Sequence, residues 1–135
     1  MMAETPEQAL LDGFEVGSDR KRMKIRDAVH LPFVHFGWNP SWSRPGGTQA
    51  YLWSEAEQVP EYGRFPEEWA GSYLSLDAHE LVIGNDFKRA YKVDGTRYRP
   101  DGSAMQAFEA IYTVINVDGD WRLVLRNPVN IVPSE

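Results

Sequence analysis

The fold of this chain is decided by residues 87–132, which read FKRAYKVDGTRYRPDGSAMQAFEAIYTVINVDGDWRLVLRNPVNIV. β-Branched and aromatic residues dominate three long runs, which Asp101-Gly102 and Asp118-Gly119 separate. Asp-Gly pairs tolerate the positive φ of tight hairpin turns. A third pair, Asp94-Gly95, is interpreted as a bulge, because a hairpin there leaves only a four-residue strand before the next turn. The stretch therefore predicts an antiparallel meander.

The residues before the meander predict helices and short strands. Thr5 caps a helix that starts with Pro6 and ends before Gly17, whereas Pro32 closes a second helix. A Pro/Gly/Ser-rich loop is expected over 39–47. We predict helices over 6–16 and from Ser18 or Asp19 to about Val29, strands over 33–38 and 48–53, a broken helix from Ser54 to Trp69 or Ala70, and strands over 73–84, 86–99, 104–117 and 121–131.

The run from Phe108 to Val117 is apolar at both parities. An antiparallel strand with one solvent-exposed face alternates between apolar and polar side chains. Apolar residues at both parities therefore predict a sheet that is covered on both sides. We expect the three helices on the concave face and a second copy of the chain on the convex face. The sequence thus favours a homodimer.

Composition limits the class of protein. At 135 residues the chain is expected to form one domain, residues 1–135, and it contains no cysteine. A disulfide, a thiolate nucleophile and a cysteine-ligated zinc site are therefore excluded. The sequence has neither a signal peptide nor an apolar run of membrane-spanning length, so we expect a cytoplasmic protein with no membrane partner.

The net charge of −6 disfavours a nucleic-acid partner. Five of the seven residues from Arg20 to Arg26 are basic, which is typical of a solvated helix face in an otherwise acidic chain; the alternative interpretation is a patch that binds nucleic acid or another anion.

The order of elements resembles the nuclear transport factor 2-like superfamily, and within it the chain is similar to bacterial SnoaL-like proteins of unassigned function. The matching motifs are a His-x-Pro segment before the first strand, starting at His30, and an Arg-Tyr-Arg-x-Asp-Gly-Ser turn over 97–103. An acidic-x-x-Tyr strand (Glu109 and Tyr112) and an Asp-Gly-x-Trp hairpin ending at Trp121 follow. The resemblance implies an α+β fold in which a cone-shaped, curved, mostly antiparallel sheet packs against three helices of the N-terminal half.

The resemblance also implies an aromatic cavity between sheet and helices, in which some relatives perform acid-base chemistry. His35 is the candidate base, on the strand where the isomerases carry theirs, and His30 is a second one unless it only caps a helix. Tyr112 lies on the strand that supplies the oxyanion donor. Asn127 shares a parity with Trp121 and Leu123, so we expect it to point inward. The remaining predicted ligand contacts are Phe14, Trp38, Trp53 and Tyr91.

Two functions remain open from the sequence. The first is a binding domain for a hydrophobic small molecule that also acts as a cofactor-independent isomerase, cyclase or dehydratase on a carbonyl substrate. The second is a non-catalytic ligand-binding or dimeric assembly module. Neither requires a cofactor, and the three histidines lack the spacing of a helical metal pair.

Overall fold

The chain forms one α-helix and an open six-stranded mixed sheet in a computed structural model that describes residues 3–36 and 50–134. The elements are α1 (Pro6–Val16), β1 (Val29–Phe36), β2 (Ala50–Trp53), β3 (Tyr73–Gly84), β4 (Lys88–Tyr98), β5 (Ala104–Val117) and β6 (Asp120–Pro133). The strand order is β2-β1-β6-β5-β4-β3. All neighbours are antiparallel except β1 and β6, which run parallel.

The predicted meander is confirmed. The β5–β6 turn has positive φ at both Asp118 (54°) and Gly119 (87°), as a two-residue hairpin of this type requires. The β4 strand continues through Asp94-Gly95, and the irregularity lies on the partner strand, between Leu76 and Ala78 of β3. Bulges of this kind bend a strand and increase its twist.

The first helix is confirmed with its predicted bounds. The Thr5 hydroxyl accepts a hydrogen bond from the backbone N–H of Gln8 at 3.1 Å, and Pro6 occupies the first turn. The helix packs on β3, β5 and β6 and places Leu10 and Phe14 against the sheet. The core lies between this helix and the concave face.

The second predicted helix is wrong. Residues 18–28 form an irregular segment with a single 3-10 turn at Ile25–Asp27. Lys21 has a positive φ of 53°, which interrupts any helix. Long-range backbone hydrogen bonds hold the segment instead: Asp19 N–H donates to the Ser72 carbonyl, and Ile25 N–H donates to the Glu61 carbonyl. The imperfect apolar face of this segment was too weak to define a helix.

The predicted broken helix is also wrong, since residues 54–70 contain only two 3-10 turns, Ala56–Gln58 and Glu67–Trp69. Pro60, Gly63 and Pro66 interrupt the segment too often for a longer helix. The expected three helices are therefore one α-helix with 3-10 turns.

The first strand begins at Val29, earlier than predicted, and contains Pro32 rather than starting after it. The parallel pairing with β6 is irregular between Val29 and Val34, so the proline lies where the ladder is already interrupted. Its predicted last two residues, 37 and 38, and the expected loop over 39–47 lie outside the described residues.

Gly95 allows three elements to meet. A Cβ at this position would overlap the ring of Phe108 and lie 2.7 Å from Cε2 of Phe14. The two rings stack at 5.7 Å between centroids. A residue without a side chain is therefore needed where α1, β4 and β5 pack together.

Candidate functional site

A cavity of about 410 Å³ lies between the concave face of the sheet and residues 64–69. The alternation of β5 makes room for it, because Phe108 and Tyr112 lie on the same face and the small Ala110 separates them. The cavity wall is largely aromatic and includes Tyr51, Phe65, Trp69, Phe108 and Tyr112.

Tyr112 is buried on the floor of this cavity. Only 2% of its surface is exposed, and its ring packs at 5.4 Å from that of Phe14. Burial raises the pKa of the phenol, and the nearby Arg126 opposes this effect in part. The phenol therefore stays protonated at neutral pH and is a hydrogen-bond donor.

His35 lines the same cavity from β1. Its ring stacks on Tyr51 at 4.9 Å, and its Nδ1 accepts a hydrogen bond from Nε of Arg126 at 3.2 Å. Burial, and secondly the positive charge of Arg126, lower the pKa of His35 to about 3. The imidazole is consequently neutral at physiological pH with its proton on Nε2, and it is a weak base.

A bulge in β6 determines which side chains reach the cavity. Thr113 pairs with Leu125 and Val114 with Leu123, so Val124 is an extra residue in β6. The bulge shifts the parity beyond this point: Arg126 lies opposite Tyr112 and lines the cavity, whereas Asn127 lies opposite Ile111 on the other face. The predicted inward orientation of Asn127 is therefore wrong, because an uninterrupted alternation was assumed.

Arg97 forms the second basic group of the cavity. It is only 5% exposed, and its guanidinium donates to Ser72 Oγ at 2.8 Å and to the Gly17 carbonyl at 3.1 Å. The indole of Trp69 covers it, with 4.1 Å between Cζ and the ring centroid. These contacts join the end of α1 to the start of β3.

Phe14 and Trp53 lie next to the cavity rather than in it. Phe14 supports the two aromatic side chains of the floor from behind. Trp53 lines a smaller neighbouring cavity of about 210 Å³ together with Phe33. Tyr51 and Arg126 line both cavities, so the two are adjacent.

Two other candidates are engaged elsewhere. Nε2 of His30 lies 2.7 Å from the Asp120 carbonyl, so this nitrogen donates, and the ring ties β1 to β6. The Tyr91 hydroxyl donates to Oε2 of Glu7 at 3.0 Å, beneath the first turn of α1. Neither side chain lines the cavity of His35 and Tyr112. Trp38 lies outside the described residues.

The arginines are the site residues that sequence reasoning missed. Arg97 shares a parity with Tyr91 and Val93, which are buried, so a charge on the apolar side of β4 was the available signal. Arg126 carried no such signal, because the bulge hides its orientation.

Within the described residues, no three His, Asp or Glu side chains come together as metal ligands. In the same ranges, no helix is long and apolar enough to span a membrane.

Comparison with known proteins identifies no family. No family model matches the sequence, and no curated protein matches it. Among solved structures, the Kfla4162 protein from Kribbella flavida is similar at 12% identity, over 96% of this chain and 94% of that one, with a TM-score of 0.49.

Proposed function

We propose that this protein is a small-molecule-binding domain of the SnoaL-like, nuclear transport factor 2-like kind, with its ligand in the cavity of His35 and Tyr112. The observation that carries the proposal is the cavity itself: about 410 Å³, walled by aromatic rings, with a few polar groups directed into it. Ligand sites in proteins typically have this size and composition.

The test is a fluorescence titration with N-phenyl-1-naphthylamine, a neutral apolar dye. We expect saturable binding that Ala110→Phe weakens at least tenfold, because the new ring occupies the cavity. Ala107→Phe is the matched control, since Ala107 is an exposed residue of the same strand at the opposite parity. Equal binding by the two variants, or no binding by the wild type, would contradict the proposal.

A second candidate function is an acid-base enzyme acting on a hydrophobic carbonyl compound, as an isomerase, cyclase or dehydratase. The shared cavity of His35 and Tyr112 favours it, because a base and a phenolic donor are the two groups that enolisation needs. The lowered pKa of His35 and its bond to Arg126 disfavour it, because a base whose conjugate acid has a pKa of about 3 accepts a proton poorly at neutral pH. Binding without catalysis is therefore the preferred proposal.

Proton exchange separates the two functions. An enzyme of this kind accelerates deuterium incorporation next to the carbonyl of a model ketone such as 2-tetralone in D₂O, and His35→Gln removes the acceleration. A binding domain leaves the exchange at the buffer rate. Proton NMR of the ketone measures both outcomes.

We also propose that two copies of the chain pair through the convex face. Ile111, Thr113, Ile115 and Leu125 lie on this side, and no helix of the described ranges covers them. Light scattering at micromolar concentration is expected to give twice the mass of the chain, with Thr113→Lys reducing it to one copy. A monomeric wild type would contradict the pairing.

A further inference from the structure

The cavity differs in charge from the rest of the protein. The chain carries 20 acidic and 14 basic side chains. The cavity is nevertheless lined by three arginines, Arg64, Arg97 and Arg126, and none of its described lining residues is Asp or Glu. An acidic protein thus concentrates positive charge in this cavity.

Arg97 is a buried cation without a carboxylate partner in the described part of the chain. Its contacts are a hydroxyl, a carbonyl and an aromatic face, and its Nε is buried with no hydrogen-bond acceptor among those residues. Burial, and then repulsion from Arg126, lower the pKa of Arg97 to about 10, so it remains charged at neutral pH. The Asp19 carboxylate attracts Arg97 weakly, but it accepts from Gly71 N–H and does not line the cavity.

Arg126 is held in place by a neutral group. Its Nε donates to His35, and within residues 3–36 and 50–134 no Asp or Glu forms an ion pair with it. Two guanidinium groups therefore face one cavity and repel each other. A bound anion relieves this repulsion and offers hydrogen-bond acceptors to both groups, since arginine matches planar carboxylate and sulfonate groups through paired N–H donors.

We infer that the cavity binds an organic anion, a carboxylate or sulfonate on an aromatic or other apolar body, with the acid group at Arg97 and Arg126 and the body against Trp69 and Phe108. This inference rests on the proposed binding function and specifies its ligand class. His35 becomes a positioning residue, which orients Arg126 through a neutral nitrogen without cancelling its charge.

The test compares two dyes that differ by one charged group. 8-Anilino-1-naphthalenesulfonate is N-phenyl-1-naphthylamine with a sulfonate added, so the ratio of their dissociation constants isolates the contribution of the anion. Arg126→Gln is expected to weaken sulfonate binding at least tenfold while changing binding of the neutral dye less than threefold. Arg64→Gln, on an exposed segment, is expected to weaken sulfonate binding about threefold.

Arg22→Gln is the matched control, because it removes the same charge from a side chain that is 65% exposed and outside the cavity. This substitution should leave the ratio of the two dissociation constants unchanged within twofold. Arg97 is not substituted here, because it also holds the fold together. Circular dichroism confirms that each variant is folded before titration.

The outcomes separate the two proposals. If Ala110→Phe weakens the binding of neither dye, the cavity is not the binding site and the proposed function fails. If the neutral dye binds in the cavity but Arg126→Gln and Arg64→Gln shift both dyes equally, the protein binds small molecules without selecting anions, and this inference is overturned.

Discussion

Nε of Arg126 donates a hydrogen bond to Nδ1 of His35 across the parallel pair β1 and β6. The two residues are register partners, so the pairing of the strands fixes their separation. The contact requires the neutral imidazole, because a protonated ring has no lone pair to offer. It makes His35 a residue that holds an arginine rather than one that takes up protons.

The first prediction concerns the pH dependence of stability. The unfolded His35 protonates near the ordinary histidine pKa of about 6.5, whereas the folded residue has a pKa of about 3. Between these values the unfolded state binds the extra proton, so stability falls as the pH falls and is fully present only above about pH 6.5. The wild type should lose about 1.4 kcal/mol more per pH unit than His35→Gln between pH 6 and pH 4.

Urea denaturation at several pH values measures this difference. Glutamine keeps an acceptor for Arg126 but does not titrate. The wild type and His35→Gln therefore share every other contribution to the change of the free energy of unfolding with pH. Parallel stability curves for the two proteins would show that His35 titrates normally.

The second prediction concerns Gly95. Alanine at this position should destabilise the fold by about 1–3 kcal/mol, as overpacking of a core does, because its Cβ overlaps the rings of Phe108 and Phe14. In the Phe108→Leu background the same substitution should cost less, with a coupling of at least about 0.5 kcal/mol. Urea unfolding of the four proteins in this cycle gives the coupling, and strictly additive effects would argue against the close approach.

The third prediction concerns Arg97 as a structural residue. Arg97→Lys keeps the charge but loses the fork that reaches Ser72 and Gly17 together. We expect a loss of about 2–3 kcal/mol in the free energy of unfolding, from hydrogen bonds made by a charged group. Arg22→Lys, at an exposed position, should change it by less than about 0.5 kcal/mol. Thermal or urea unfolding compares the two, and similar small effects would contradict the role of Arg97.

The meander was predicted well from the sequence, because Asp-Gly pairs specify its turns locally. β3 and β5 have the predicted bounds, and β4 and β6 differ from theirs by one to two residues. The two helices predicted after Gly17 are wrong. Residues 18–28 and 54–70 form 3-10 turns and are held by long-range backbone hydrogen bonds, not by a periodic apolar face. The pattern of neighbouring residues does not predict hydrogen bonds between segments that are distant in the sequence.

The site was predicted less well than the fold. The two catalytic candidates Tyr112 and His35 do lie in one cavity. Near these residues the strands alternate regularly, since β5 pairs without a shift from Phe108 to Tyr112 and β1 pairs without a shift from Phe33 to Phe36. Arg126 and Asn127 lie on the faces opposite to those predicted, because the extra residue Val124 inverts the alternation of β6 as far as a second irregularity at Val129. The extra residue lies within three consecutive apolar residues, Leu123, Val124 and Leu125, so the alternation pattern does not show which of them is inserted.

Binding in the concave cavity is the central claim, and amide chemical shifts test it most directly. Titration of isotope-labelled protein with N-phenyl-1-naphthylamine should move the amides of Ala110 and Tyr112 and the indole N–H of Trp69 most strongly. The competing site is the exposed apolar edge of β3, where Leu81, Val82 and Ile83 are 49%, 60% and 72% exposed. Largest shifts at the cavity residues are the predicted result, and largest shifts along β3 with an unchanged cavity would contradict the claim.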